Sequence, residues 1–307
     1  MKRRDFLKKG LGAGIMAGAL LKVGGVGSVA KGSPAASDST FDLVAVMGGE
    51  PVPMFDKAIA AMGGLGRFVK KGQSVLVKPN IGWDTAPELG GNTNPRLVAH
   101  IVKQCLRVGA KEVYVFDNTC DNWSRCYANS GIEDAVKGAG GKVVPANTEN
   151  YFKPVSIPSG KRLKEAKVHE LVLSCDVFIN VPILKHHSST KVTISMKNLM
   201  GIVWDRRYWH KNDLHQCIAD FVTWRKPDLN VVDAYRVITR NGPRGVSQAD
   251  VVMKKSLLMS TDIVAADAAA AKIFGVEPCE VPHIKIAHEM GVGNMNLDEL
   301  NIERIRM

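Results

Sequence analysis

The stretch from Pro182 to Gly201 holds the chain's densest set of groups able to do chemistry. It carries Lys185, His186 and His187, the hydroxyls of Ser188, Ser189 and Thr190, then Thr193, Lys197 and Asn198. Ammonium groups, hydroxyls and an amide so close together suit an anion such as a carboxylate or phosphate, and neutral imidazole also suits a metal ion. Adjacent histidines on extended backbone point to opposite faces, so only one of His186 and His187 is expected to reach a ligand. An imidazole beside lysines suits general acid–base work, which makes His187, Lys185 and Lys197 the candidate catalytic residues. A solvated loop after a strand would carry similar polarity without any such role.

A second segment, Trp204-Asp205-Arg206-Arg207-Tyr208-Trp209-His210, leads through Asn212-Asp213 to His215 and Asp220. His187, His210 and His215 form a candidate metal-ligand set, with Asp205 or Asp220 as a carboxylate partner. The spacing matches no established metal motif. Hydrogen-bonded surface histidines are the competing reading. Arg206 and Arg207 could equally grip a carboxylate or phosphate with their planar forks.

Side chains so far apart in sequence need a scaffold that gathers them. Strands are expected at Phe41–Met47, Ser74–Val77, Glu112–Phe116, Lys142–Val144, Asp176–Val181, Asn230–Val232 and Ser256–Met259. Helices are expected at Pro53–Met62, Pro95–Val108, Ile132–Gly138, Leu214–Trp224 and Asp262–Phe274. Asn94 before Pro95 is a suitable cap for the second of these. Tyr151–Val168 reads as an inserted β-hairpin. This alternation predicts an α/β fold with a mostly parallel sheet and flanking helices, in one domain or two lobes. Ligands in such sheets gather at the carboxyl ends of strands. Lys78 and Asn80, Asp117 and Asn118, Asp233, and Asp262 all follow predicted strands, and they join Thr193, Asn198, Arg206 and Arg207 as candidate binding residues.

Near the beginning of the chain Arg3-Arg4 stand before Phe6-Leu7-Lys8. A weakly apolar, glycine-rich run from Leu11 to Val26 follows, and Ser28-Val29-Ala30 supplies small residues for a signal peptidase. This order predicts a twin-arginine signal peptide over residues 1–30, and hence the twin-arginine export machinery as a partner. The product would be soluble, and periplasmic or extracellular. Leu11–Leu21 is too short to span a bilayer, and no cysteine near the exit would carry a lipid, so no stable membrane anchor is expected. A flexible linker over 31–40, a domain over 41–293 and a C-terminal tail over 294–307 complete the expected organisation.

The first thirty residues hold six basic side chains and one acidic one, so the formal net charge falls from +11 to +6 without them. The remaining basic residues are dispersed, and no nucleic-acid-binding motif is present, which argues against nucleic acid. A moderate positive balance suits a small anionic ligand. None of the six cysteines, Cys105, Cys120, Cys126, Cys175, Cys217 and Cys279, forms a CxxC pair. A ferredoxin-type cluster and a zinc ribbon are therefore disfavoured. Cys120 and Cys126 flank a turn-like segment, either as free thiols or as a disulfide after export.

Pro182-x-Leu184-Lys185-x-His187, Thr193 and Lys197-Asn198-x-x-Gly201 together resemble the signature of the domain of unknown function 362 family. Val75–Asn80, Thr93-Asn94-Pro95, Gly109–Val113, Pro227–Asp233, Asn241-Gly242-Pro243 and Ser260–Ala268 extend the resemblance over nearly all of Phe41 to Gly293. Many members of that family carry a ferredoxin module, whose cysteine run is missing here. The layout is also similar to the N-terminal half of the lactate racemase family, which uses a nickel-bearing cofactor; that likeness implies a transition metal as one cofactor to test for. The residues read first as an exported enzyme acting on a small anionic substrate, metal-dependent or not. The alternative is a non-catalytic periplasmic protein that binds a metal or cofactor, or matures a redox partner. Iron–sulfur electron transfer ranks behind both.

Overall fold

A computed structural model describes residues 41–307; the signal peptide and linker expected before Phe41 lie outside the described residues. In chain order the elements are β1 (Leu43–Met47), α1 (Pro51–Ala61), β2 (Ser74–Pro79), α2 (Pro95–Arg107), β3 (Glu112–Val115), α3 (Trp123–Asn129), α4 (Ile132–Gly138) and β4 (Lys142–Val143). Next come β5 (Phe152–Ser156), β6 (Glu165–His169), α5 (Glu170–Ser174), β7 (Val177–Val181), β8 (Lys185–His187), β9 (Lys191–Thr193), α6 (Ser195–Asn198) and α7 (Arg206–Lys211). The last are α8 (Leu214–Trp224), β10 (Leu229–Ile238), β11 (Val251–Ser260), α9 (Ile263–Phe274), α10 (Pro282–Glu289) and β12 (Ile302–Arg306).

Eight strands form one sheet in the order β12-β1-β11-β10-β7-β2-β3-β4. Only β11 runs against its two neighbours; the other pairings are parallel. Strands covered on both faces read as continuous apolar runs, as in Val75-Leu76-Val77 and Val177-Phe178-Ile179. Their side chains alternate between two cores. Val75, Val77, Ile179 and Val231 pack with α1, α2 and α4 on one face. Leu76, Phe178, Val232 and Leu258 pack with α8, α9 and α10 on the other. The sheet draws its strands from the whole described chain, β1 to β12.

β5 and β6 pair as the expected hairpin, and β8 pairs with β9 in a second, shorter one. β10 and β11 run well past the predicted Asn230–Val232 and Ser256–Met259, because each completes the other's ladder. Asp233 therefore lies inside a strand, not at its end. The predicted tail over 294–307 is also corrected: Ile302–Arg306 pairs in parallel with Leu43–Met47 and closes one edge of the sheet. Glu303, Arg304 and Arg306 give that strand the charged look common at sheet edges, which made it read as a tail. Among the described residues no helix is long and apolar enough to cross a membrane.

Candidate functional site

Chain order reverses between β2 and β7. From β2 the sheet grows through β3 to β4, and β7 then returns to the opposite side of β2. A crevice opens at such a switch, beyond the carboxyl ends of the strands. There a cavity of about 310 Å³ is lined by Lys78 at the end of β2 and Asn80 just after it, Asp117, Asn118 and Cys120 after β3, and Lys185, His187, Thr193, Lys197 and Asn198 after β7. Arg206 and His210 of α7 complete its wall.

The two-residue period of β8 explains why these side chains converge. Lys185 and His187 share a face, and Thr193 lies opposite Lys185 in the register of the hairpin. His186 points away, and its Nδ1 accepts from the Gly242 backbone N–H at 3.1 Å. Of the adjacent histidines, His187 alone lines the cavity.

At the cavity floor Lys78 and Asp117 form an ion pair at 3.0 Å, with both side chains buried. Burial pushes Lys78 down and Asp117 up, and the charge of each opposes the shift in the other. Asp117 Oδ2 also accepts from the Ile81 backbone N–H at 2.7 Å. Asn198 Oδ1 accepts from Lys78 Nζ at 2.9 Å and from Asn80 Nδ2 at 3.0 Å, while its own Nδ2 donates to Asn180 Oδ1 at 2.9 Å. Lys185 Nζ donates to Asn80 Oδ1 at 3.0 Å and to the Gly91 carbonyl. One polar network thus runs from Lys185 through Asn80 and Asn198 to Lys78 and Asp117. Both asparagine amides are largely spent on orienting lysines.

Lys197 differs from its neighbours. Its side chain is only 9 % exposed, yet among the described residues no acceptor or carboxylate pairs with it. Burial, reinforced by Arg206 and Lys78, pushes its ammonium down to about 8. Burial likewise brings Lys185 down to about 7. Thr193 Oγ1, in a side chain 4 % exposed, also has no hydrogen-bond partner. A buried hydroxyl without a partner is expensive unless something satisfies it, and an unpaired ammonium on the cavity lining is free to meet an anion.

His187 is pushed down to about 3 by burial and the neighbouring lysines, so it is neutral near pH 7. Its Nδ1 accepts from the Ser189 backbone N–H at 3.1 Å, which puts the ring proton on Nε2. Ligation of a metal through Nε2 would need that proton on Nδ1 instead, facing the Ser189 N–H. The proposed metal set is corrected on these grounds. His187 and His210 line the cavity, but His215 Nδ1 is engaged with His283 Nδ1 at 3.2 Å. Asp205 caps α7 through the Tyr208 N–H, and Asp220 accepts from the Arg162 and Leu163 N–H groups. Among the described residues no three His, Cys, Asp or Glu side chains are grouped to hold a metal ion.

Three other predicted binding residues stand elsewhere. Asp233 is buried under the start of α2, accepting from the Asn94 N–H at 2.8 Å and the Tyr235 N–H at 3.0 Å. Asp262 caps α9 through the Val264 and Ala265 N–H groups and accepts from the Asn294 N–H. Both ends of both carboxylates are consumed by backbone. Arg207 lines a larger hollow of about 920 Å³ beside the cavity, and the two spaces share Asn118, Cys120 and Arg206.

Cys120 and Cys126 are both free thiols; Cys126 is buried, and Cys120 is exposed and lines the cavity. Cys120 was not among the predicted site residues, although its place three residues after Asp117 is the signal that could have found it. Asn241-Gly242-Pro243 carried only the family resemblance in the sequence, and Arg244 carried no expectation. Pro243 lines the cavity, and Arg244 pairs with Asp121 at 2.9 Å and lies over the Trp83 ring.

The family model described as Domain of unknown function (DUF362) matches residues 75–272, which span every lining residue of the cavity. A relative 27% identical over 241 residues, covering 75% of this chain and 72% of its own, is the thylakoid-associated protein sll1697 of Synechocystis sp.. Among solved structures, the lactate racemase apoprotein from Thermoanaerobacterium thermosaccharolyticum is similar with a TM-score of 0.47 and 13% identity. That similarity covers 72% of this chain and about half, 54%, of the racemase chain.

Proposed function

We propose, from the premise that this chain belongs to the DUF362 family, that it is an exported enzyme acting on a small anionic substrate held in the lysine-lined cavity. The observation that carries this reading is Lys197, whose buried side chain lines the cavity with no acceptor or carboxylate among the described residues to pair with it, in the same lining as the unpartnered hydroxyl of Thr193. A carboxylate or phosphate in the cavity would give that ammonium the partner it lacks, and charge-assisted hydrogen bonds are the strong ones.

Lys185 is suited to move the proton. As a neutral amine it has two N–H bonds, and Asn80 Oδ1 and the Gly91 carbonyl accept both, which leaves its lone pair for the cavity. A group brought down to about 7 exchanges protons readily near neutrality. His187, neutral and protonated on Nε2, donates a hydrogen bond to charge that develops on the substrate. Lys78 stays paired with Asp117 and supplies a fixed positive charge at the floor.

The export part of this reading rests on the order of residues at the beginning of the chain, from Arg3-Arg4 to Ser28-Val29-Ala30. Arg3→Lys with Arg4→Lys is expected to hold the protein in the cytoplasm; unchanged export would remove that part alone.

Calorimetric titration with inorganic phosphate and with acetate, on wild type and on Lys197→Met, tests the site. Binding of at least one anion, weakened about 10-fold or more in the variant, is expected from the loss of a charge-assisted contact. Equal binding in both proteins would overturn the reading. Incubating a panel of small organic acids and phosphate esters in D₂O, with NMR detection, separates an enzyme from the alternative carrier. Deuterium uptake or consumption marks the enzyme, and that signal should vanish in Lys185→Met. Stoichiometric binding with no chemical change would favour the carrier.

A further inference from the structure

The cavity and the larger hollow differ in what they offer. At about 310 Å³ the cavity lies at the small end of ligand sites, while the hollow, at about 920 Å³, lies near the large end. Arg206 forms the wall between them. Its guanidinium is held by the carbonyls of Asn118 and Thr119, so its charge is fixed where both spaces meet. The two spaces therefore adjoin at a clamped cation, so a molecule seated on Lys197 and long enough to pass Arg206 would enter the hollow.

The hollow has a chemistry of its own. Tyr208, 41 % exposed, and Trp204 give it aromatic surface. Five cationic side chains against three carboxylates line it. Lys167 is taken up by Glu149, but among the described residues Arg162, Lys164 and Arg207 have no ion-pair partner. The β5/β6 hairpin supplies Arg162 and Lys164, and α7 supplies Arg207. Unpaired cations and aromatic surface lining one hollow fit a planar group that bears a second acid.

We infer that the hollow is the outer half of a single ligand site, and that the ligand is a bipartite acid. One acidic head lies on Lys197 and Thr193, an aromatic or heteroaromatic body passes Arg206 to rest on Tyr208 and Trp204, and a second acidic group reaches Arg207 and Lys164. This inference rests on the anion-binding reading of the inner cavity and names the class of substrate that cavity would take. It gives the inserted hairpin a role that the sheet alone does not require.

Calorimetry on the full chain with graded probes tests it. Inorganic phosphate and acetate offer a head only, phenyl phosphate and benzoate add a ring, and 4-carboxyphenyl phosphate and terephthalate add a second acid. In whichever series binds, the ring is expected to tighten binding roughly 10-fold, and the second acid several-fold more. Tyr208→Ala should cancel the gain from the ring, and Arg207→Ala the gain from the second acid. Neither should alter binding of the head-only probe, and unchanged thermal melting would establish that both variants fold. Equal affinity across a series, with head-only binding intact, overturns the bipartite ligand and leaves the inner site standing. Failure of phosphate and acetate alike, with the larger probes also silent, overturns the inner site and this inference with it.

Discussion

A β-carbon on Gly201 would lie 1.8 Å from Asp117 Oδ1 and 2.5 Å from Lys78 Nζ. The backbone that follows α6 thus closes directly on the ion pair contributed by β2 and the end of β3. The Gly201 carbonyl also accepts from the Asn118 N–H at 2.8 Å, so the segment is tied to the same loop it presses against.

Gly201→Ala is therefore expected to separate Asp117 from Lys78. Breaking a buried pair costs about 3–5 kcal/mol. Urea denaturation measures it, with Gly275→Ala as a contrast, since nothing lies within 4 Å of a β-carbon there although its φ of +111° favours glycine. Wild-type stability in Gly201→Ala would show that the pair moves aside freely.

The two lysines make ligand binding proton-linked. Lys185 at about 7 and Lys197 at about 8 lie below their unfolded value of 10.5. The unfolded chain then binds more protons than the folded one in that window, so the penalty is full below the folded values and stability rises as pH climbs toward 10.5. An anion seated on Lys197 restores the charge of that lysine and must bring a proton with it. Titration at a pH just above the Lys197 value, in two buffers of different ionisation enthalpy, should show net proton uptake that shrinks in Lys197→Met. Binding without uptake would mean that Lys197 is already charged in the empty site.

Asp267 positions Lys197 without touching the cavity. From α9 its carboxylate accepts from the Ser195 N–H at 2.7 Å and the Met196 N–H at 3.1 Å, the first two donors of the turn that carries Lys197 and Asn198. Burial pushes it up to about 7. Asp267→Asn presents an amide N–H₂ to one of those donors, and the loss of such a cap costs about 1–2 kcal/mol. Anion affinity should fall with stability, and a smaller proton uptake on binding should reveal a displaced Lys197. Lower stability with unaltered affinity and uptake would leave Asp267 a purely structural residue.

How far the site could be read depended on whether a residue's partners were local. β2, β7, α2 and α8 have strong apolar patterns and compact bounds, and the rule that ligands lie at strand ends then pointed to Lys78, Asn80, Asp117, Lys185 and Lys197. Asp233 and Asp262 satisfied the same rule and proved to be backbone acceptors. One oxygen of each is taken by neighbours two or three residues on, as a helix cap would be, but the other goes to Asn94, 139 residues from Asp233, or Asn294, 32 residues from Asp262, and no local pattern reveals those contacts. The histidines misled for a related reason. His215 shares its Nδ1 with His283, a residue 68 positions away whose burial gives no sequence signal. Cys120 was passed over because a cysteine in a polar loop looks the same whether it faces a cavity or bulk water.

The placement of β1 has a consequence for how the protein is made. Its neighbours on both sides are β11 and β12, so Leu43 pairs with Ser260 and with Ile302. The earliest strand has no sheet to join until more than two hundred further residues have been synthesised. Pairings this distant are slow to form. Both edges of this apolar strand therefore stay open through most of elongation, one until β11 is made and the other until β12 is made.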